Sequence, residues 1–138
     1  MRSPGHRDHP AHKVVEQRGP GRVRVEVGGE VVADSQDVIA VHEDANPIRY
    51  YFPRTDVRMD HLTPTATSST CPYKGRASYF AVRAGGQELK DAAWSYEEPY
   101  EEHQGLAGRI AFWDDRFPAG AIRRADAAPA EGPADGAR

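Results

Sequence analysis

The chain has 138 residues, of which 38% are hydrophobic and 28% are charged, and its formal net charge is −3 at pH 7. These values fit one domain with a modest core and argue against two folded domains and against a nucleic-acid partner. No apolar run approaches the roughly 18 residues of a membrane helix, and no apolar stretch follows the charged N-terminus, so we predict a cytoplasmic protein without membrane contact.

The two ends of the chain are poor in large apolar residues. Residues 1–21 contain six Pro and Gly residues, and residues 119–138 contain eight Ala, three Gly and two Pro, with Ile122 as the single large aliphatic. Such segments bury too little surface to offset the entropy lost on ordering. We therefore predict a disordered or extended N-terminal tail over 1–21, a β-rich domain over 22–118 and a disordered C-terminal tail over 119–138.

The middle of the chain shows the period-two alternation of β-strands. Residues 22–27 place three valines on one face, and the pair Gly28 and Gly29 supplies the positive φ angles of a hairpin turn. A second hairpin turns at residues 84–86. The predicted strands are 22–27, 30–33, 38–41, 48–52, 75–83, 87–96 and 106–113, with one short helix allowed at 100–104. This pattern predicts an all-β fold built from short strands.

The segment 68–79 concentrates reactive side chains on a loop that leads into a strand. It contains Thr70, Cys71, Lys74 and Tyr79, and Pro72 stiffens the turn. A positive charge at Lys74 favours the thiolate form of Cys71 and hence a nucleophile, whereas the hydroxyls and Lys74 together suit an anion. The alternatives are a buried, unreactive Cys71 and a solvated Lys74.

Aromatic residues make up 9% of the chain and are locally enriched near the second hairpin. Trp94 and Tyr96 lie two apart on one predicted strand and so point to one side, where Tyr79 of the neighbouring strand can join them. Such rings, with Tyr51, can wall a concave ligand site or form a plain core. The predicted ligand-binding residues are Tyr51, Thr70, Cys71, Lys74, Tyr79, Trp94 and Tyr96.

No metal or cofactor is predicted. The single cysteine excludes a disulfide and a multi-cysteine zinc site within one chain. The acidic run 97–103 lacks the ligand order of a calcium loop, and His6, His9 and His12 lie among Pro and Gly residues that disfavour a helix, so they are assigned to a solvated tail. No Walker, GxGxxG, HExxH or GxSxG motif is present.

Five sequence pieces, in this order, resemble the bacterial domain of unknown function 427 family. They are Val32-Ala33-Asp34-Ser35, Tyr51-Phe52-Pro53 with Asp56-Val57, Thr70-Cys71-Pro72-Tyr73-Lys74-Gly75-Arg76-Ala77-Ser78-Tyr79, Asp91-Ala92-Ala93-Trp94-Ser95-Tyr96 with Pro99, and Gly108-Arg109-Ile110-Ala111-Phe112-Trp113. The resemblance spans about Arg22 to Phe117.

This resemblance implies a β-tent-like arrangement of two antiparallel sheets, in which a pocket can open. Several β-tent relatives hold a structural zinc with two cysteine pairs, which a chain with only Cys71 cannot do, and others bind small ligands in aromatic pockets. We therefore expect a small-molecule-binding domain. The alternatives are a transferase that uses Cys71 or Lys74, in line with the nucleotidyltransferase-like label given to some members, and a structural module that pairs through a sheet edge.

Overall fold

Residues 1–124, which the computed structural model describes, form ten strands and one short α-helix. The helix is α1 (Pro4–Asp8), and the strands are β1 (Val14–Arg18), β2 (Val23–Val27), β3 (Glu30–Ser35), β4 (Ile39–Glu43), β5 (Arg49–Phe52), β6 (Leu62–Cys71), β7 (Gly75–Ala84), β8 (Gln87–Ser95), β9 (Ile110–Phe112) and β10 (Ile122–Arg124). Four short 3-10 segments lie at Arg54–Asp56, Met59–His61, Glu101–Leu106 and Asp114–Arg116. Within these residues, no helix is long and apolar enough to cross a membrane.

The strands form two antiparallel sheets in a β-tent-like arrangement. The large sheet has seven strands in the order β1-β4-β5-β9-β8-β7-β6, and the small sheet has three in the order β10-β2-β3. The predicted all-β class, with two antiparallel sheets and little helix, is confirmed. The predicted strand 106–113 is shorter, because the chain forms a 3-10 segment up to Leu106 and pairs only over β9.

The main core lies where the small sheet packs on one face of the large sheet. In β2 the alternation seen in the sequence buries Val23, Val25 and Val27 and leaves Arg24 and Glu26 partly exposed. From the large sheet the core receives Phe52, Phe80, Val82, Ile110 and Phe112. Burial of such aliphatic and aromatic groups is the main favourable term in the stability of the fold.

The opposite face of the large sheet carries a second apolar cluster, which we call the outer cluster. Its buried members are Val14, Ile39, Val41, Tyr51, Ala77, Trp94, Tyr96, Leu106 and Ala111. The large sheet is therefore buried on both faces in its middle, and alternate residues of one strand serve different clusters. In β5, for example, Tyr51 belongs to the outer cluster and Phe52 to the main core.

The structure places residues 1–21 differently from the predicted tail. Strand β1 pairs with β4 over five residue pairs, and its Val14 is buried in the outer cluster. The Gly5 N–H donates to the Pro72 carbonyl at 2.8 Å, and a Cβ at Gly5 would lie 2.7 Å from the Tyr73 ring. The segment is ordered because its partners come from remote parts of the chain, which local composition does not reveal.

Two further segments depart from the sequence-based prediction. Strand β6, read from the sequence as a hydroxyl-rich loop, pairs with β7 at one edge of the large sheet. Strand β10 falls within the predicted C-terminal tail and pairs with β2 through three residue pairs. The rest of that predicted tail, residues 125–138, lies outside the described residues.

Candidate functional site

The outer cluster contains a row of side chains that crosses five strands. Ile39 pairs with Tyr51, Tyr51 with Ala111, Ala111 with Trp94, and Trp94 with Tyr79. Residues paired in this way share one face of a sheet. Because Ala111 is small, the large side chains on either side of it meet above it, and the Trp94 Nε1–H donates a buried hydrogen bond to the Tyr51 hydroxyl at 3.1 Å.

An open cavity of about 210 Å³ lies over this row. Its aromatic walls are Tyr51, Tyr79, Trp94, Tyr96 and Trp113. The ring centroids of Tyr51 and Tyr96 are 6.3 Å apart with planes at 27°, and those of Tyr51 and Trp94 are 6.2 Å apart and nearly perpendicular. These are the stacked and edge-to-face geometries that aromatic pairs prefer, so the rings hold one another in place.

One side of the cavity is formed by a buried ion pair. Lys74 is 6% exposed, and its Nζ lies 2.5 Å from Glu43 Oε1, while Glu43 Oε2 lies 3.0 Å from His12 Nε2. Burial, the largest influence on the pKa of Glu43, raises it, but the hydrogen bonds from Lys74 and His12 outweigh burial and hold that pKa below its usual range. Glu43 is therefore a carboxylate, and the Lys74 charge is already paired.

A second cation, Arg49, borders the cavity at the start of β5. Its guanidinium carbon lies 5.8 Å from the centre of the Trp94 ring, within the range of a cation–π interaction. Its Nη1 also lies 3.0 Å from the half-exposed carboxylate of Asp114. Asp114 and Trp94 together hold the guanidinium beside the aromatic wall.

Two of the three phenols at the cavity, those of Tyr51 and Tyr96, are held protonated over the physiological range by burial. Burial raises the pKa of Tyr51 strongly, against a smaller lowering by the hydrogen bond from Trp94. Burial likewise raises the pKa of Tyr96, with a further contribution from the nearby Tyr51. Both hydroxyls can therefore donate hydrogen bonds but do not act as bases.

Five of the seven predicted site residues line this cavity, namely Tyr51, Lys74, Tyr79, Trp94 and Tyr96. The structure does not bring Thr70 and Cys71 into its lining. Cys71 packs against the outer cluster from the edge of the sheet, whereas Thr70 is exposed and pairs with the exposed Arg76. Consecutive residues of a strand point to opposite faces, so Thr70 and Cys71 cannot share one side of β6.

Sequence reasoning missed several lining residues, among them Glu43, Arg49 and Trp113. The sequence does contain a signal for these residues, which is their spacing from neighbours on the same strand face. Arg49 lies two residues before Tyr51, and Trp113 lies two residues after Ala111, so the period-two rule places each on the face of its neighbour. Glu43, two residues after Val41, follows the same rule.

The N-terminal segment supplies a second polar network beside the cavity. His103 is 3% exposed, its Nδ1 lies 2.7 Å from Glu16 Oε2, and its Nε2 lies 2.9 Å from His6 Nε2. His12 stacks on Tyr73 with ring centroids 4.4 Å apart. His6 and His12 are thus docked in the structure, not solvated as the sequence suggested. Among residues 1–124, no group of three or more His, Cys, Asp or Glu side chains could hold a metal ion.

These features define an all-β domain with two antiparallel sheets and an aromatic cavity on the outer face of the larger one. A family model described as a domain of unknown function, DUF427, matches residues 15–122. The chain therefore belongs to the DUF427 family, and the match includes nearly all of β1 and every residue that lines the cavity. No curated protein matches the chain.

Proposed function

We propose that this domain binds a small molecule in the aromatic cavity and releases it unchanged. The observation that carries the proposal is the concentration of rings at one opening. Two Trp, six Tyr and four Phe make twelve aromatic residues in the chain, and five of them line this cavity. Ligand sites are typically concave and mostly apolar, with a few convergent polar groups, as here. The cytoplasmic location predicted from the sequence is part of this proposal.

The size of the cavity limits the ligand. At about 30 Å³ per water molecule, 210 Å³ corresponds to about seven waters. Sites for drug-sized ligands have volumes of about 300–1,000 Å³. We therefore propose a ligand of about one ring with small substituents, which is smaller than a nucleotide.

The test is a thermal-shift screen of small metabolites against the wild-type protein and two variants. Trp94→Ala removes a wall of the cavity, and we expect it to abolish the shifts. Because truncating a buried Trp costs about 3–5 kcal/mol of stability, the less buried Trp113→Ala serves as the second variant, with binding expected to weaken at least about tenfold. A screen without hits, or hits that neither variant changes, would refute the proposal.

The main alternative is an enzyme in which Cys71 or Lys74 acts on a transferred group. The Lys74 ammonium is paired with Glu43, and Cys71 does not line the cavity, so neither residue gains support as a catalytic group. The other alternative, a structural module that pairs with a partner through a sheet edge, gains no support from the edge strand β6 either. That edge strand contains Pro64 and a register shift between Pro64 and Ser68, and both features disfavour the addition of a further strand.

We predict that Cys71 is an unreactive thiol. In the folded protein, iodoacetamide should modify it no faster than in the unfolded chain at the same pH, because Cys71 packs against the outer cluster and the charge of Lys74 is paired with Glu43. Mass spectrometry of the alkylated protein over time measures the rate. Rapid modification of the folded protein at about pH 6, where ordinary thiols are almost fully protonated, would restore the nucleophile hypothesis.

A further inference from the structure

The hydroxyl of Tyr96 has a donor capacity that residues 1–124 do not use. Tyr96 directly follows β8, is 6% exposed and lines the cavity. No residue among 1–124 forms a hydrogen bond with its hydroxyl. The hydroxyl is not fully enclosed, because part of its surface is open to solvent. The hydroxyl therefore opens toward the cavity, where water meets it in the free protein and the acceptor of a ligand can take the place of that water.

A second donor lies beside it. The Tyr51 hydroxyl accepts from the Trp94 indole, but in the described part of the chain its own proton has no acceptor. The rings of Tyr51 and Tyr96 stack with their centroids 6.3 Å apart, and both residues line the same cavity. Because burial keeps both phenols protonated, they are fixed donors, and two fixed donors match an acceptor that carries two or more lone pairs.

The charges that border the cavity favour an anion. Of the described residues that line it, Arg49 and Lys74 are cations and Glu43 is an anion, which leaves a net charge of about +1. The Glu43 carboxylate is occupied by Lys74 and His12 and so has little capacity left for a cationic ligand. Asp114, which partly neutralises Arg49, is half exposed and does not line the cavity.

We propose that the ligand is a single-ring aromatic carboxylate, whose ring packs against Trp94 and whose carboxylate oxygens accept hydrogen bonds from the Tyr96 and Tyr51 hydroxyls. This inference rests on the proposed function and specifies the ligand of the same cavity. Charge-assisted hydrogen bonds to a carboxylate are stronger than those to a neutral amide. The anionic group therefore distinguishes the ligand from other flat molecules of the same size.

The test compares carboxylates with their neutral amides, using the single-ring compounds benzoate, salicylate and nicotinate as probes in isothermal titration calorimetry. We expect at least one carboxylate to bind wild-type protein at least about tenfold more tightly than its amide. Tyr96→Phe removes one oxygen atom and should eliminate most of that preference. The melting temperature of this variant should be unchanged or higher, because the lost hydroxyl has no hydrogen-bond partner among the described residues.

Tyr100→Phe is the matched control, since Tyr100 lies outside the cavity lining, and it should leave the preference intact. If carboxylates and amides bind equally, or if Tyr96→Phe leaves the preference unchanged, the carboxylate inference is wrong while ring binding in the cavity stands. If no probe of either kind binds, the carboxylate inference fails, whereas the proposed function fails only if the metabolite screen also yields no hit.

Discussion

Gly85→Ala is expected to destabilise the domain by about 3 kcal/mol. Gly85 lies in the turn between β7 and β8, with a φ of +57°, and touches the turn between β2 and β3. A Cβ at this position would overlap the carbonyl oxygen of Val27 and lie 2.7 Å from the Cα of Gly28. Because both obstacles are backbone atoms, one of the two hairpins must shift.

Gly86→Ala is the matched control for this contact. Gly86 also has a positive φ, of +75°, but no heavy atom of residues 1–124 lies within 4 Å of the position its Cβ would take. Its substitution should therefore cost only the left-handed backbone penalty of about 1–2 kcal/mol. Urea unfolding of both variants measures the difference between them. Equal losses at the two positions would contradict the predicted clash between the added Cβ and the neighbouring turn.

His103→Ala is expected to cost about 2–3 kcal/mol and to weaken the dependence of stability on pH. The variant leaves the Glu16 carboxylate and the His6 imidazole without their partner. Burial, and then the nearby His103, lower the pKa of His6 in the folded protein. Because the pKa of His6 is lower in the folded protein than in the unfolded chain, the folded state is favoured at pH values above the unfolded pKa of about 6.5. That contribution to stability is lost as the pH falls through the folded pKa.

The measurement is the free energy of unfolding at about pH 7.5 and about pH 5.5. Wild-type protein should lose stability at the lower pH, and His103→Ala should lose less. His9→Ala is the control, because His9 is an exposed histidine of the same segment and should behave as wild type. A wild-type protein that is equally stable at both values would contradict the proposed role of this histidine pair.

The two hairpins were predictable because each carries its own signal. In β2 the alternating valines identify the buried face, and Gly28 with Gly29 identifies the turn. Strand β6 lacks such a signal. Of its ten residues only Leu62 is buried, because the strand lies at the sheet edge, and a run of exposed Thr and Ser residues reads as a loop.

The N-terminal segment was not predictable from local sequence for a different reason. Gly5 and His6 are held by Pro72, Tyr73 and His103, which lie more than 60 residues further along the chain. Patterns of period two or 3.6 report which face of an element is apolar but not which distant segment covers it. The same limit applies to β10, whose three residues are too few to show any period.

The site was partly predictable, since the period-two rule places Trp94 and Tyr96 on one side of a predicted strand. Trp94 and Tyr79 are cross-strand partners in the second hairpin, but a register shift between Phe80 and Val82 separates this pair from the register that the turn sets. The pairing of Tyr51 and Trp94 with Ala111 depends on the strand order of the large sheet, in which β5, β9 and β8 are neighbours despite their distance in sequence. No local pattern specifies that order.

Glu43 belongs to two assemblies at once. One of its oxygens faces His12 of the N-terminal segment, and the other faces Lys74 of the cavity wall. Suppose that a molecule bound in the cavity strengthens the contact between this carboxylate and His12. By thermodynamic reciprocity, that molecule must then bind more tightly when the N-terminal segment is docked than when it is absent. Truncation before β1 would then lower affinity at a distance, without removing any group that touches the bound molecule.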